Sequence, residues 1–375
     1  MSEEPETSGM VLPENWKWAE LGELALFING DRGKNYPSQS NRVDSGVPFI
    51  NTGHIDPNGR LSGDRMDYIA RETFEKLGSG KVKAGDILYC LRGSTIGKIA
   101  RNEFSEGAIA SSLIIIRAGK PALQSFIYHY LASPIGQTLA RKFDNGSAQP
   151  NLSARVLSKY PIPVPSDAEL PYISQLLDAL DDKIELNRRM NLTLETIARA
   201  IFKDWFVDFG PTRAKIDGSP PYLAQEIWAL FPGSLGDGGI PEEWKIGTLG
   251  DAARQVGQSV SPEALDPETP YIGLEHMPRH SIALTDWAGA GKVTSGKLAF
   301  RKGDLLFGKL RPYFHKVGIA PLDGICSTDI VVLNARERNA TAFVLACISQ
   351  DDFVAFTDRT SDGTKMPRTS WGRME

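Results

Sequence analysis

Leu12-Pro13-Glu14-Asn15-Trp16-Lys17, followed by Leu21-Gly22-Glu23, returns later in the chain as Ile240-Pro241-Glu242-Glu243-Trp244-Lys245, followed by Leu249-Gly250-Asp251. Further pairs keep the same order. Val47-Pro48-Phe49-Ile50 reappears as Thr269-Pro270-Tyr271-Ile272, each with a histidine shortly after it (His54, His276). Lys83-Ala84-Gly85-Asp86-Ile87-Leu88 reappears as Arg301-Lys302-Gly303-Asp304-Leu305-Leu306, and Leu91-Arg92 is matched to Leu310-Arg311. Gly146-Ser147-Ala148-Gln149-Pro150 is matched to Gly363-Thr364-Lys365-Met366-Pro367. One short match arises by chance. Several in order, with small changes of spacing, mark two copies of one domain.

Within a copy the signals are mixed. Asp86–Leu91 and 113–117, with counterparts at 304–307 and 330–333, are short apolar runs that read as buried strands. Gln124–Arg141 carries apolar residues at helical spacing, and 341–357 is its counterpart. Gly-Asp ahead of an apolar strand is a turn signature, so Asp86 and Asp304 read as turn residues rather than catalytic carboxylates.

Between the copies the pattern changes. Ile173, Leu177, Leu180, Ile184, Asn187, Asn191, Leu194, Ala198, Ile201 and Trp205 recur in steps of four and three. This is a coiled-coil seam with two polar positions of the kind that fix register. Pro161, Pro163 and Pro165 bar helix ahead of it, and Gly210-Pro211 closes it. About 37 residues at 1.5 Å each make a rod of roughly 55 Å. A lone rod of this kind leaves its seam exposed and needs a partner helix; the other reading is a helix packed on its own domains. The fold expected is α+β: two duplicated mixed α/β domains joined by a long coiled-coil helix. Residues 1–11 read as a disordered tail, 12–165 as domain one, 166–210 as the helix, 211–239 as a linker and 240–375 as domain two.

The chain has 375 residues and a formal net charge of −4. The charge is uneven. Residues 13–165 hold 19 basic against 14 acidic side chains, and residues 166–240 hold 7 against 12. A protein gripping phosphates without regard to sequence would be more basic, so any nucleic-acid contact must be local. Cys90, Cys326 and Cys347 are widely spaced, which points to neither a disulfide framework nor a zinc site. No apolar run approaches the ~20 residues of a membrane span, and the acidic start does not resemble a targeting peptide, so a cytoplasmic protein is expected.

No catalytic signature emerges. The five histidines include His276 and His280, four apart, but Pro278 between them argues against a shared helical face, and no metal ligand set is assigned. Nucleotide-binding and nucleophile-elbow motifs are absent from the sequence. Ser219-Pro220-Pro221-Tyr222 has the form of an element by which amino-methyltransferases hold a flipped base. No Gly-rich cofactor turn precedes it, so a turn after the long helix is the better reading.

The paired Pro-Glu-x-Trp starts, the Gly146-to-Ser153 loop, Ile162-Pro163-Val164-Pro165 leading into the helix and Ala200–Phe209 closing it resemble the specificity subunit of type I restriction-modification systems, over roughly residues 12–373. The resemblance implies that each α/β unit is a target recognition domain reading half of a split double-stranded DNA site. It also implies that the helical region docks the modification (methyltransferase) subunits and, through the complex, the restriction subunit. S-adenosylmethionine and catalysis would belong to those partners, with no cofactor on this chain. Family members normally carry a second helix after the second domain. Its counterpart is not found before Glu375, so self-association through the unpaired helix, or a DNA-blind scaffold, stand as alternatives beside the reader.

Candidate DNA contacts cluster accordingly. Arg92, Ser94, Thr95, Lys98 and Arg101 follow a strand in the first copy, and Lys309, Arg311, Tyr313, His315 and Lys316 follow one in the second. The terminal loops add Asn145, Ser147, Gln149 and Asn151, then Thr364, Lys365 and Arg368. Arg and Lys can bridge guanine O6 and N7, while Asn and Gln pair with adenine. Hydroxyls and backbone amides more often hold phosphates.

Overall fold

The apolar run at 113–118 becomes a strand, Leu113–Ala118, buried from both faces. The period of two along a strand divides its side chains between two cores. Ile114 and Ile116 join Ile87 and Tyr89 against Phe126, Ile127 and Leu131 of the following helix, while Leu113 and Ile115 join Leu88 and Cys90 against Ile50, Val82 and Ile109. The second copy repeats the division. Leu305, Phe307, Val331 and Leu333 face Val344 and Ile348; Leu306, Ile330 and Val332 face Ile272, Phe300 and Cys326. Each such fully buried side chain stabilises the fold by about 1.5–3 kcal/mol.

In this computed structural model, which describes residues 11–56, 58–63, 66–142, 152–363 and 365–375, the chain divides into two units, Met1–Ile184 and Glu185–Glu375. Both units carry the same four-stranded antiparallel sheet. In the first unit its order is Ala25–Asn29, Leu113–Ala118, Ile87–Cys90, Ile99–Arg101; in the second it is Ala253–Gln255, Ile330–Ala335, Leu305–Gly308, Val317–Ile319. Both also carry a second sheet with one parallel pair at its centre, Val47–Ile50 with Gly107–Ile109 and Pro270–Ile272 with Gly324–Cys326. The copies differ at the sheet edge. Arg42–Val43 adds a strand beside Asp67–Ile69 in the first, whereas Gln258–Val260 adds one beside Lys297–Phe300 in the second.

The duplication extends to single hydrogen bonds. Trp16 N–H donates to Pro13 O at 3.0 Å and Trp244 N–H to Pro241 O at 3.1 Å. Asn51 N–H donates to His54 Nδ1 at 3.1 Å and Gly273 N–H to His276 Nδ1 at 2.9 Å. Asp86 accepts from Lys83 N–H and from the Arg117 guanidinium, and Asp304 accepts from Arg301 N–H and from the Asn334 amide. Both carboxylates are occupied in closing the turn before a strand.

Two expectations need correction. The helical stretch 124–141 is not one helix but two, Pro121–Ala132 and Pro134–Lys142, and its counterpart is likewise split into Thr341–Ile348 and Asp351–Arg359. Pro134 has no N–H to continue the first helix and instead opens the next. The bond pattern also moves one sequence match by a residue. Cys90 N–H donates to Lys98 O as Gly308 N–H donates to Lys316 O, both at 2.8 Å, so Leu91 corresponds to Lys309 and Gly93 to Arg311.

The long helix is Leu170–Phe202, crossing the boundary between the units, and continues as one π-helical turn, Lys203–Val207. It contacts its own units by a polar face. Asp178 accepts from Arg101 (2.8 Å), Ser125 (2.7 Å) and His129 (3.0 Å), and Ser174 donates to Ala122 O at 2.8 Å. Farther along, Glu195 accepts from the Ser281 hydroxyl at 2.9 Å and from Ile282 N–H at 3.2 Å, and Arg199 donates to His280 O at 3.1 Å. The expected seam lies on another face. Ile173 and Leu177 are half-buried, while Leu180, Ile184, Asn187, Asn191, Leu194, Ala198 and Ile201 are exposed. Trp205 leaves the seam: with Phe202, Phe206, Phe209, Phe231 and Phe343 it joins an aromatic cluster around Trp244, which stacks on Phe206 at 5.7 Å. The expected stop at Gly210-Pro211 is a restart. Phe209 turns left-handed (φ 54°) and a new helix runs Gly210–Ile216 with Pro211 in its first turn. Among the described residues no single helix is long and apolar enough to cross a membrane.

Candidate nucleic-acid interface

In each unit the central strand Ile87–Cys90 or Leu305–Gly308 ends in a tight turn held by the same bonds. In the first, Leu91 N–H donates to Ser112 O (2.9 Å), Leu91 O accepts from Leu152 N–H (2.8 Å) and Ile96 N–H donates to Gly93 O (3.1 Å). In the second, Lys309 N–H donates to Asp329 O (2.9 Å), Lys309 O accepts from Thr369 N–H (3.0 Å) and Phe314 N–H donates to Arg311 O (2.9 Å). The segment leaving the terminal loop is thus fastened to the strand-end turn in both copies. In the second, Arg311 N–H also donates to Pro367 O at 2.7 Å.

These fixed backbones carry side chains of different availability. Arg92, Ser94 and Thr95 are exposed, with Gly93 supplying the left-handed residue (φ 79°) that the turn requires. Tyr313 and Lys365 are exposed, and Arg368 is exposed while paired with Asp329 at 2.7 Å. Arg311 is half-buried, holds a left-handed backbone (φ 52°) where the first copy has glycine, and its Nε is buried without a hydrogen-bond partner among the described residues. Its guanidinium lies 5.9 Å from the Phe314 ring, and Arg279 covers the same ring at 3.9 Å.

Other candidates are engaged within the fold. Lys98 Nζ donates to Thr52 O at 3.1 Å, and its counterpart Lys316 donates to Leu274 O; both fasten the short turn that carries the repeated histidine. Burial and the nearby Arg279 hold Lys316 below the ordinary lysine value. Arg101 pairs with Asp178 and lies over the Tyr128 ring at 4.6 Å. His315 is enclosed, and Lys309 is half-buried. Asn145, Ser147, Gln149, Asn151 and Thr364 lie outside the described residues. Arg279 went unremarked in the sequence because it sits past Pro278 in a stretch without a repeat partner; only its stacking on Phe314 singles it out.

Tyr222 of the Ser-Pro-Pro-Tyr element donates its hydroxyl to Asp204 at 2.8 Å and packs edge-on against Trp228 at 5.5 Å. Burial and the Asp204 carboxylate push that phenol up to about 12. The element therefore folds back on the end of the helix as a turn. Cys326 is a core residue whose thiol burial pushes up to about 12.

Comparison with known proteins finds a family match over the first copy and most of the long helix. Residues 13–196 match the family described as the type I restriction modification DNA specificity domain. Over those residues the chain is similar to type I specificity subunits. Among its relatives, the HindI specificity subunit of Haemophilus influenzae is 28% identical over 237 residues, covering 61% of this chain and 49% of the relative. The EcoDI specificity subunit of Escherichia coli is 23% identical over 383 residues, covering 95% of this chain and 75% of the relative. The MjaIX specificity subunit of Methanocaldococcus jannaschii is covered to 51%, so the chain spans about half the length of two of these family members. The crystal structure of the type I S subunit from M. genitalium aligns over 97% of this chain and 88% of that one, with 13% identity and a TM-score of 0.43.

Proposed function

We propose that the chain reads a split double-stranded DNA site, each unit recognising one half, as the specificity subunit of a type I restriction-modification complex. The observation that carries this reading is the repeated strand-end turn, fastened to the terminal loop by equivalent bonds in both units. A fixed backbone presenting Arg92, Ser94 and Thr95 in one unit, and Arg311, Tyr313, Lys365 and Arg368 in the other, suits base readout, which needs donors held in a defined geometry. The hydroxyls and remaining cations would hold phosphates and set orientation. Methyl transfer and its S-adenosylmethionine would lie with the modification subunits, and cleavage with the restriction subunit.

Selection from randomised duplexes by the chain with its modification subunit, at two salt concentrations, tests this. Two unlike motifs at fixed spacing are expected, with affinity falling as salt rises. No enrichment while the modification subunit stays bound would replace the reader with a DNA-blind scaffold. Arg92→Ala should cost about 1–3 kcal/mol and relax preference in one half-site only. A uniform loss over all sequences would instead make Arg92 a phosphate contact.

The exposed row Leu180, Ile184, Leu194 and Ile201 is the surface proposed to dock a helix of the complex. Leu180→Asp with Ile184→Asp should leave thermal stability within about 0.5 kcal/mol, as surface changes do. The same pair should sharply weaken retention of the modification subunit in a pull-down. Unchanged retention would remove this face from the docking surface.

A further inference from the structure

His315 occupies a place that the fold itself does not ask a histidine to fill. The equivalent turn of the first unit uses Gly97, and both residues adopt the left-handed conformation, at φ 49° for His315 and φ 83° for Gly97. A side chain in that conformation is strained, and such strain persists where something else holds the residue. The ring is buried, and both its nitrogens face acceptors. Nε2 lies 3.0 Å from Ser349 O, and Nδ1 lies 3.2 Å from an Asp351 carboxylate oxygen. A carbonyl can only accept, so Nε2 carries the proton. In the neutral ring Nδ1 then turns its lone pair toward a carboxylate, and either a second ring proton or a metal cation can join the two.

A second histidine completes the group. His280, also left-handed (φ 56°), places its ring centroid 4.6 Å from that of His315. One ligand atom each from His280, His315 and Asp351 all lie within 4.8 Å of one another. The first unit has Pro134 where the second has Asp351 at the start of its helix, so this carboxylate too is peculiar to the second copy. No local motif announces the grouping, because its members come from three separated segments.

We propose that His280, His315 and Asp351 form a binding site for a divalent cation of the zinc class. Two imidazoles and one carboxylate suit such an ion, and three protein ligands leave a position for water. The His315 Nε2–H to Ser349 O bond is the outer partner that fixes a ligating imidazole in the required tautomer. The ion would join the loop carrying His280, the turn carrying His315 and the helix beginning at Asp351. It would also tie them to the long helix, since Arg199 donates to His280 O and Glu195 holds Ser281 and Ile282.

The test uses the full chain without a polyhistidine tag, stripped with chelator and titrated with Zn2+ by calorimetry and with Co2+ by visible absorption. One equivalent of each is expected, with Co2+ bands of low-coordinate geometry that Zn2+ displaces. His280→Ala and Asp351→Asn alter exposed side chains, and each should weaken Zn2+ binding by at least about tenfold, the loss typical of removing even an outer partner. They should also abolish any Zn2+-dependent rise in melting temperature, while His276→Gln should leave binding unchanged. Absence of stoichiometric binding, or equal affinity in the wild type and both variants, would overturn the proposal.

Discussion

Glu195→Ala should cost the second unit about 3 kcal/mol and lower its melting transition by about 6–12 °C. Glu195 is only 7% exposed, on a face of the long helix otherwise turned toward the protein. Its carboxylate is satisfied there by the Ser281 hydroxyl at 2.9 Å, by Ile282 N–H at 3.2 Å and by Arg199 at 3.7 Å. Truncation leaves the part-buried Ile282 N–H without its acceptor, and that asymmetry makes the loss larger than the net worth of the bonds. The effect is local enough to follow at one position. Hydrogen exchange at the Ile282 amide should accelerate in Glu195→Ala and recover in part in Glu195→Gln, whose side chain keeps an accepting oxygen. A shift below about 2 °C with Ile282 protection intact would mean that the helix is held by the aromatic cluster around Trp244 and not by this carboxylate.

How far the sequence could be read depended on which features local pattern encodes. The repeat was legible because each copy must place glycines, turn carboxylates and alternating apolar residues at fixed places, and Gly85-Asp86 and Gly303-Asp304 do so identically. The seam was legible for the same reason: its spacing of three and four is a property of any helix. The opposite face of that helix was not. No local pattern marks Ser174, Asp178 and Glu195, and only the fold shows that they meet Ala122, Arg101, His129 and Ile282 from distant segments. Register failed by one residue at Leu91 because side-chain identity suggested pairing Arg92 with Arg311, whereas the backbone pairs Arg311 with Gly93. The candidate interface was accordingly half legible. That Lys98, Lys316 and Arg101 are engaged internally depends on carbonyls and carboxylates many residues away, which no motif announces.

Asp178 makes the second large prediction, and it has a pH dependence that separates it from the first. Burial alone would raise its carboxyl pKa, but the hydrogen bonds from Ser125, His129 and Arg101 outweigh burial and hold it below the ordinary value. A carboxyl that titrates lower folded than unfolded contributes stability that is complete above about pH 4. The contribution is lost as pH falls on through the folded value. Asp178→Ala should therefore destabilise the first unit by about 2 kcal/mol between pH 5 and 7, the figure being moderated because Asp178 and Arg101 each keep about a third of their side chains exposed. The difference between wild type and variant should shrink steadily below about pH 4. His54 and His315 act at higher pH. Burial lowers both below the ordinary histidine value, so the unfolded chain takes up protons first and stability declines as pH falls from about 6.5. That decline should be the same in wild type and Asp178→Ala, since neither histidine touches Asp178. Denaturant midpoints measured from pH 7 to 3 distinguish the two: a constant offset persisting to pH 3 would show that Asp178 stabilises the unit by packing alone, and a convergence of the curves would show that its charge fastens the helix within the first unit.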